Sequence, residues 1–314
     1  MTSRAVRDLI ASNGGVLVVG GANMDLKARS LAPIVAATSN PGATTLAPGG
    51  VGRNIAENLA RLGTPVALLS AVGTDALGAD LLAATAAAGV DVSPVRRIAT
   101  TSGTYTAVLD ASGELVVAVA DMAATEALTP DHVLPLADRV AAADLVVLDG
   151  NLLPATATAV LDLAAETGVP VVVDPVSVPK AARLAEVVRR PLLAITPNRD
   201  ELVALTGTTE VAAGVAALHA AGVEQVWVRL GPDGSLLSCA GAAPVTMSSV
   251  PGEVVDVTGA GDAMLAAFCH FLLAGADPVS AARLGHVAAA LTIASEHTVR
   301  PDLTASLVQG VPAP

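Results

Sequence analysis

The chain has 314 residues, which is enough for one large α/β domain with a small appendage. Hydrophobic residues make up 53% of it but aromatic residues only 1%, so Ala, Val and Leu must fill the core. The formal net charge of -12 argues against a nucleic-acid binder, which normally carries a basic patch, and favours a small substrate held by local contacts.

Short apolar runs alternate with Ala-rich stretches of helical spacing along most of the chain. This alternation predicts a mostly parallel sheet that is covered by helices on both faces. In chain order the runs are Val16–Val19, Val66–Leu69, Leu145–Leu148, Val171–Val173 and Val226–Leu230.

One region interrupts this alternation. Two β-rich runs lie on either side of Asp110-Ala-Ser-Gly-Glu114, a sequence typical of a hairpin turn. Together with strands expected in residues 25–39, they predict a small β-sheet lid built from parts of residues 24–48 and 100–121. Exposed edges of such a sheet tend to pair with another chain, which favours a homodimer through the lid.

The strongest chemical motif is Asp256-Val-Thr-Gly-Ala-Gly-Asp262, followed by the apolar run Ala263 to Ala276. Small residues at 259–261 let backbone N–H groups surround an anion at the positive end of the following helix. A carboxylate beside such an anion hole can accept a hydroxyl proton during phosphoryl transfer, which makes Asp262 a candidate general base. The same pattern is also typical of a glycine-rich turn with Asp as the helix cap.

Two other glycine-rich motifs predict a sugar site. Gly49-Gly-Val-Gly-Arg-Asn54 opens a helix over Ile55–Leu62 that Gly63 ends, and Asn54 can donate to and accept from a hydroxyl group. Gly20-Gly-Ala-Asn-Met-Asp25 follows the first strand, where Asp25 can accept from a vicinal diol. The alternatives are a dinucleotide-type turn, although the spacing is not G-x-G-x-x-G, and an ordinary turn with a solvated Asp.

Two motifs after later strands are less specific. In Thr196-Pro-Asn-Arg-Asp-Glu201, Asn198 and Glu201 would share one face of a starting helix and suit Mg²⁺ through waters, or simply cap that helix. Arg229-Leu-Gly-Pro-Asp-Gly234 has two glycines at a strand end, which suits nucleotide phosphates or a plain hairpin turn.

From about Val16 to about Leu303, these motifs in this order resemble the ribokinase-like (PfkB) family of sugar and nucleoside kinases. The resemblance implies a three-layer α/β/α core with a lid, ATP and Mg²⁺ as cofactors, and transfer to a sugar hydroxyl. Within the family the details are similar to the pseudouridine kinases, which implies the 5′-hydroxyl of pseudouridine as acceptor. The stretches that support this are Gly20-Gly-Ala-Asn-Met-Asp25, Ser39-Asn-Pro-Gly42, Gly49 to Ala60, Leu69-Ser-Ala-Val-Gly73, Asp174-Pro-Val-Ser177 and Pro301-Asp-Leu303.

The resemblance also implies roles for individual residues. Asp262 would be the general base, with Gly259, Ala260 and Gly261 as the anion hole. The nucleoside would contact Asn23, Asp25, Asn40, Gly49, Gly50, Asn54, Thr104 and Asn151. ATP, Mg²⁺ and a monovalent cation, usually K⁺, would be held by Asn198, Glu201, Gly231, Gly234, Asp256 and Thr258. The N1–H group that distinguishes pseudouridine from uridine would need an acceptor, either Asn40, Asn151 or a lid carbonyl.

Three other functions are compatible with parts of the pattern: a kinase for ribose, adenosine or another nucleoside, a sugar-binding sensor without activity, and a dinucleotide-dependent oxidoreductase. Residues 1–314 are expected to form a single kinase domain with small-molecule partners and no nucleic acid. Two cysteines make no disulfide framework, and the N-terminus lacks an apolar signal core. The longest apolar stretch is too short to span a bilayer, so a cytoplasmic protein is expected.

Overall fold

The structure, a computed structural model, describes residues 14–313. The N-terminal residues whose polarity argued against a signal sequence lie outside this range. The strands are β1 Val16–Val19, β2 Asn23–Ser30, β3 Gly42–Gly49, β4 Val66–Leu69, β5 Ala71–Gly73, β6 Arg96–Ile98, β7 Thr104–Leu109, β8 Leu115–Asp121, β9 Leu145–Asp149, β10 Val171–Asp174, β11 Leu192–Ile195, β12 Val223–Arg229, β13 Ser235–Cys239 and β14 Val245–Met247.

The α-helices connect these strands and cover the larger sheet. They are α1 Val51–Leu62, α2 Ala76–Ala87, α3 Ala123–Glu126, α4 Pro130–Val133, α5 Ala137–Ala141, α6 Pro154–Thr167, α7 Val178–Leu184, α8 Arg199–Thr206, α9 Val211–Ala220, α10 Ala260–Leu273, α11 Pro278–Ile293 and α12 Ala305–Gln309. Short 3₁₀ turns occur at Leu134–Leu136 and Gly231–Asp233.

The larger sheet has eight strands in the order β14-β13-β12-β11-β10-β9-β1-β4. The strands from β12 to β4 are parallel to their neighbours, and β13 and β14 continue the sheet as antiparallel strands. This confirms the predicted mostly parallel sheet. The carboxyl ends of the parallel strands meet at one edge, which is where ligands bind in open α/β sheets.

Helices pack on both faces of this sheet, because alternate residues of each strand point in opposite directions. In β1, Val16 and Val18 join a core with α1, α10 and α11, whereas Leu17 and Val19 join a second core with α6, α8 and α9. Both cores consist mainly of Val, Leu and Ala, as the composition predicts. The three-layer α/β/α arrangement is therefore confirmed.

The predicted lid is a separate sheet of four strands in the order β3-β2-β7-β8. Asp110 accepts hydrogen bonds from the backbone N–H groups of Ser112 and Glu114, which fixes the β7–β8 turn. Pro48 lies in β3, an edge strand, where its missing N–H leaves no ladder bond unmade. The other edge strand, β8, exposes apolar side chains on its surface, including Val119 at 65%.

Helix α10 differs slightly from its predicted position. It was expected over residues 263–276 but runs from Ala260 to Leu273, because Gly259 adopts a left-handed conformation that starts the helix three residues earlier. Most of its side chains are buried, as expected for a core helix. Within residues 14–313, no single helix is both long and apolar enough to cross a membrane; the bent pair α8 and α9 qualifies by length and composition only.

Candidate active site

Asp262 lies in the first turn of α10, at the amino end of the helix. It does not cap the helix, since the cap position is Gly259, with a φ of 80°. A Cβ atom at Gly259 would lie 2.0 Å from the carbonyl oxygen of Thr298, so only glycine fits there. The first N–H groups of a helix have no partner within it and form its positive end. The structure therefore places a carboxylate at the positive end of α10.

The Asp262 carboxylate is almost fully buried, with 8% of the residue exposed. Burial raises its pKa to about 8, although a hydrogen bond from Asn54 and the charge of Arg229 act in the opposite direction. A carboxyl group with such a pKa exchanges its proton near neutral pH, which suits a general base.

Asn54 connects the start of α1 to this carboxylate. Its side-chain N–H donates to Oδ2 of Asp262 over 2.9 Å, although the two residues are 208 positions apart. Gly50 precedes the helix with a φ of 97°, and a Cβ atom there would lie 2.6 Å from the carbonyl oxygen of Gly21. The glycine-rich motif thus lets α1 begin in close contact with the end of β1.

Asp25 lies on lid strand β2, next to the same glycines. Asn23 donates to its Oδ1 over 2.6 Å, and a Cβ atom on Gly49 would lie 2.3 Å from its Oδ2. Burial raises the pKa of Asp25. The structure therefore brings Asn23, Asp25, Gly49 and Gly50 together with Asn54 and Asp262, as the sequence predicted.

A cluster of charges lies at the ends of β10 and β12. Arg229 forms ion pairs with Asp174 over 3.1 Å and with Glu201 over 3.3 Å. Glu201 also accepts from the backbone N–H of Asn198, whose side chain accepts in return from the N–H of Glu201. This is a capping box, so the structural role of the Asn198 motif is present. These ion pairs also hold Arg229 close to Gly261, where an added Cβ atom would lie 2.5 Å from the Arg229 Nη1 atom.

Beside Arg229 a mostly apolar cavity of ≈ 420 Å³ lies between the β12–β13 turn and α11. Gly231 and Gly234 line it on one side, and Ala260 and Gly261 of α10 line it on another. An apolar cavity with an arginine and a helix amino end at its mouth can hold a flat base while its phosphates face the helix.

The loop before α10 is tied to the lid. Thr258 donates to Oδ1 of Asp256 through both its N–H and its hydroxyl group, and Lys27 of β2 forms an ion pair with Oδ2 over 2.8 Å. Burial alone would raise the pKa of Asp256, but the hydrogen bonds from Lys27 and Thr258 outweigh it and hold this pKa below its ordinary value. The predicted cation ligand therefore already has an ammonium partner.

Comparison with known proteins agrees with this geometry. The profile of the pfkB family carbohydrate kinases matches residues 14–305. This chain belongs to the pfkB family.

Individual members are similar over nearly its whole length. The pseudouridine kinase of Escherichia coli (strain K12) is 34% identical, with 92% of this chain and 93% of that protein covered. The pseudouridine kinase of Arabidopsis thaliana is 25% identical, with 94% of each covered. The structure of Arabidopsis thaliana ribokinase complexed with ribose and ATP is 27% identical, with a TM-score of 0.80, 94% of this chain and 97% of that chain covered. The pfkB kinase described here is thus a phosphotransferase of the sugar and nucleoside kinase type.

Three of the predicted nucleoside contacts, Thr104, Asn151 and Asn40, have a less direct connection to the site. Thr104 begins β7 and pairs with Met24, one residue from Asp25. Asn151 is buried, donates to Asp149 and accepts from Lys180, so its amide is engaged on both sides. Asn40 accepts from the N–H of Val35 and donates to two carbonyl groups of its own loop, at the opposite end of the β2–β3 hairpin from Gly49, about 20 Å away at 3.3 Å per residue.

Asp149 is a part of the site that the sequence motifs did not assign. It ends β9 fully buried, and its Oδ2 accepts from the backbone N–H groups of Gly21 and Gly52 over 2.8 and 2.7 Å. It therefore joins the end of β1 to the start of α1. A carboxylate directly after the run Leu145–Leu148 is a signal that could have identified it, because ligands bind at the carboxyl ends of such strands.

Proposed function

We propose that this kinase transfers the terminal phosphoryl group of ATP to the 5′-hydroxyl group of pseudouridine. The observation that supports it most is the buried Asp262 carboxylate at the amino end of α10, in contact with Asn54 of the sugar-binding motif. The pseudouridine kinases among its relatives match 92% and 94% of the chain at 34% and 25% identity, which supports this substrate.

In the proposed reaction Asp262 accepts the proton of the 5′-hydroxyl group. The hydroxyl oxygen forms a bond to the terminal phosphorus as the bond from that phosphorus to the bridging oxygen of ADP breaks. The backbone N–H groups of Gly259, Ala260 and Gly261 stabilise negative charge on the transferring group. The products are pseudouridine 5′-phosphate and ADP, and the proton leaves Asp262 to solvent.

The ribose is proposed to lie between the lid and α1. Asp25 would accept from the 2′- and 3′-hydroxyl groups, and Asn54 would contact the sugar while it holds Asp262. Asn23 and Gly49 keep Asp25 in position, and Gly50 and Thr104 line the approach. Asn40 and Asn151 each accept a hydrogen bond within the protein, so we favour a backbone carbonyl of the lid as the acceptor for the N1–H group of pseudouridine.

ATP is proposed to place its base in the cavity lined by Gly231 and Gly234, with its phosphates toward Arg229 and α10. At the adjacent capping box, Oδ1 of Asn198 and Oε2 of Glu201 already accept hydrogen bonds, and Oε1 of Glu201 accepts none within residues 14–313. A carboxylate oxygen of this kind suits Mg²⁺ held through waters. Asn198 and Glu201 would hold this ion, and bound Mg²⁺ would supply neutralisation of phosphate charge. Asp256 and Thr258 are the proposed contacts of a monovalent cation, K⁺, which would share Asp256 with Lys27.

The organisation of the protein is part of the proposal. Residues 14–313 would act as one kinase domain, with the lid sheet pairing with that of a second subunit. The apolar side chains that β8 exposes support this pairing, because an uncovered edge strand of this kind tends to associate. The unpaired state of Cys239 and Cys269 fits a reducing, cytoplasmic location.

A substrate panel tests the proposal. ADP formation would be measured with pseudouridine, uridine, ribose and adenosine at equal ATP and Mg²⁺. We expect the highest kcat/KM for pseudouridine, and faster turnover of ribose or adenosine would overturn the substrate assignment. The Asp262→Asn variant should keep nucleoside binding and lose turnover by about 10²–10⁴-fold, as for removal of a general base. Binding of sugars without any ADP formation by the wild type would instead indicate a sensor.

A further inference from the structure

Arg53 forms four side-chain hydrogen bonds near the site, yet the proposed reaction gives it no role. It lies on the first turn of α1 with only 4% of the residue exposed. Its guanidinium group donates to the carbonyl oxygen of Pro48 over 3.1 Å, to Oδ1 of Asn54 over 3.0 Å and to Glu57. One of these bonds links a buried arginine directly to the amide that contacts Asp262.

The contact with Asn54 decides which way its amide faces. The Oδ1 atom of Asn54 accepts from Arg53, so its Nδ2 atom is the one that points to Asp262. If the amide rotated by half a turn, its NH₂ group would face the N–H donors of Arg53, and two donors cannot bond to each other. Arg53 therefore permits one orientation only.

Asp262 by itself does not determine the orientation of the Asn54 amide. As a carboxylate it needs the N–H of Asn54, but as a protonated acid it can equally donate its own proton to the amide oxygen. Burial makes the protonated form accessible near neutral pH. Without Arg53, the amide could follow the protonation state of Asp262 and stabilise the acid form, which is inactive as a base.

We propose that Arg53 is a positioning residue, which holds the Asn54 amide so that its N–H always faces the catalytic carboxylate. This inference rests on the proposed role of Asp262 as the base but not on the identity of the nucleoside. The other charged groups that face Asp262 are Arg229 at the end of β12, Asp174 at the end of β10 and Asp149 at the end of β9. None of the hydrogen bonds of Arg53 within residues 14–313 involves these three groups.

The test is the pH dependence of kcat/KM for ADP formation with whichever substrate the wild type uses best. Arg53→Met should move the rising limb of the profile to higher pH by about 0.5–1 unit, because the acid form of Asp262 gains a hydrogen bond. The control is Arg61→Met. Arg61 lies on the same helix and also donates to Glu57, but it has no bond to Asn54, so its loss removes an equal charge without freeing the amide. The control limb should stay in place.

A double-variant cycle separates orientation from charge. In an Asn54→Ala background there is no amide to turn, so adding Arg53→Met should leave the limb unchanged. If the same shift persists there, or if Arg53→Met alone causes none, the inference is overturned. Arg53→Met leaves the buried Glu57 carboxylate without this partner. If that prevents folding, the double variant Arg53→Met/Glu57→Gln, which lacks the carboxylate, is tested in the same way. A wild-type profile without any rising limb would instead count against Asp262 as the base.

Discussion

The ammonium nitrogen of Lys27 lies 2.8 Å from the Asp256 carboxylate, across the cleft between the lid and the loop before α10. Lys27 shares a face of β2 with Asp25, since the two are two residues apart on one strand. This ion pair therefore links the strand that would hold the sugar to the loop that leads into the anion hole. It joins residues that are 229 positions apart in the chain.

Replacing Lys27 with Met should weaken this link. Both side chains are about one-third exposed, so the pair is worth only about 0.2–1 kcal/mol, which corresponds to a KM for the nucleoside about 1.5–5-fold higher. The loss also leaves Asp256 free to bind a monovalent cation, so K⁺ should stimulate the variant more strongly than the wild type. Steady-state kinetics in K⁺ and in choline chloride at equal ionic strength measure both effects.

The matched control is Arg29→Met on the same strand. The guanidinium group of Arg29 bonds to the carbonyl oxygen of Ala111 within the lid and does not reach the loop. That variant should respond to K⁺ as the wild type does. Equal K⁺ stimulation of all three proteins would contradict a role for Lys27 at Asp256.

Asp262→Asn should make the ligand-free protein more stable at neutral and alkaline pH. The pKa of Asp262 is about 8 in the folded protein and 3.8 ordinarily, so folding favours the protonated group. Its contribution to stability is complete below about pH 3.8 and is lost as the pH rises toward 8. Since one pKa unit corresponds to about 1.4 kcal/mol, a gain on the order of a few kcal/mol is expected at pH 8.

Thermal unfolding at pH 5 and pH 8 measures this gain, which should be larger at pH 8. Asp277→Asn is a control of opposite kind, because hydrogen bonds from Ser280 and Val279 at the start of α11 lower the pKa of Asp277. That variant should be no more stable than the wild type at either pH. If the stability gain of Asp262→Asn over the wild type were the same at pH 5 and pH 8, burial would not raise the pKa of Asp262.

Much of the fold and part of the site could be predicted because the signals are local. The hairpin at Asp110, the end of α1 at Gly63 and the glycine turn before α10 each depend on a few neighbouring residues. The roles of Asp149 and Arg53 could not be predicted in this way. Asp149 acts through Gly21, 128 positions away, and Arg53 through an amide that itself reaches 208 positions along the chain. Such roles exist only once the strands and helices have come together.

Gly50→Ala should lower kcat/KM by more than the strain of an alanine at a positive φ would by itself. The added Cβ atom would lie 2.6 Å from the Gly21 carbonyl oxygen, so the start of α1 must move. Asn54 donates its backbone N–H to Gly50 and would move with it, and a displacement near 1 Å costs about 10²-fold in kcat/KM. Gly63 is the control for a positive φ: its φ of 94° is similar to the 97° of Gly50, although its ψ is 11° rather than 131°, and an added Cβ atom there meets nothing within 4 Å.

Gly63→Ala should therefore lose only about 1–2 kcal/mol of stability, the cost of a left-handed backbone, and retain full turnover. Kinetics and urea unfolding of the two variants separate the effects. Equal losses of activity in both would mean that the close contact with Gly21 has no catalytic consequence.

Arg229→Lys should raise the KM for ATP by about 10-fold, or about 1.4 kcal/mol, with a smaller effect on the KM for the nucleoside. The guanidinium group of Arg229 reaches Asp174 and Glu201 at once, while a lysine ammonium can approach only one of them closely. Removing the positive charge altogether would leave two buried carboxylates unpaired and destabilise the protein by about 3–5 kcal/mol. Lysine keeps the charge and so limits this loss of stability. Arg190→Lys is the control, since its ion pair with Asp162 lies on the surface. A folded Arg229→Lys protein with an unchanged KM for ATP would place the phosphates away from β12 and remove Arg229 from the nucleotide site.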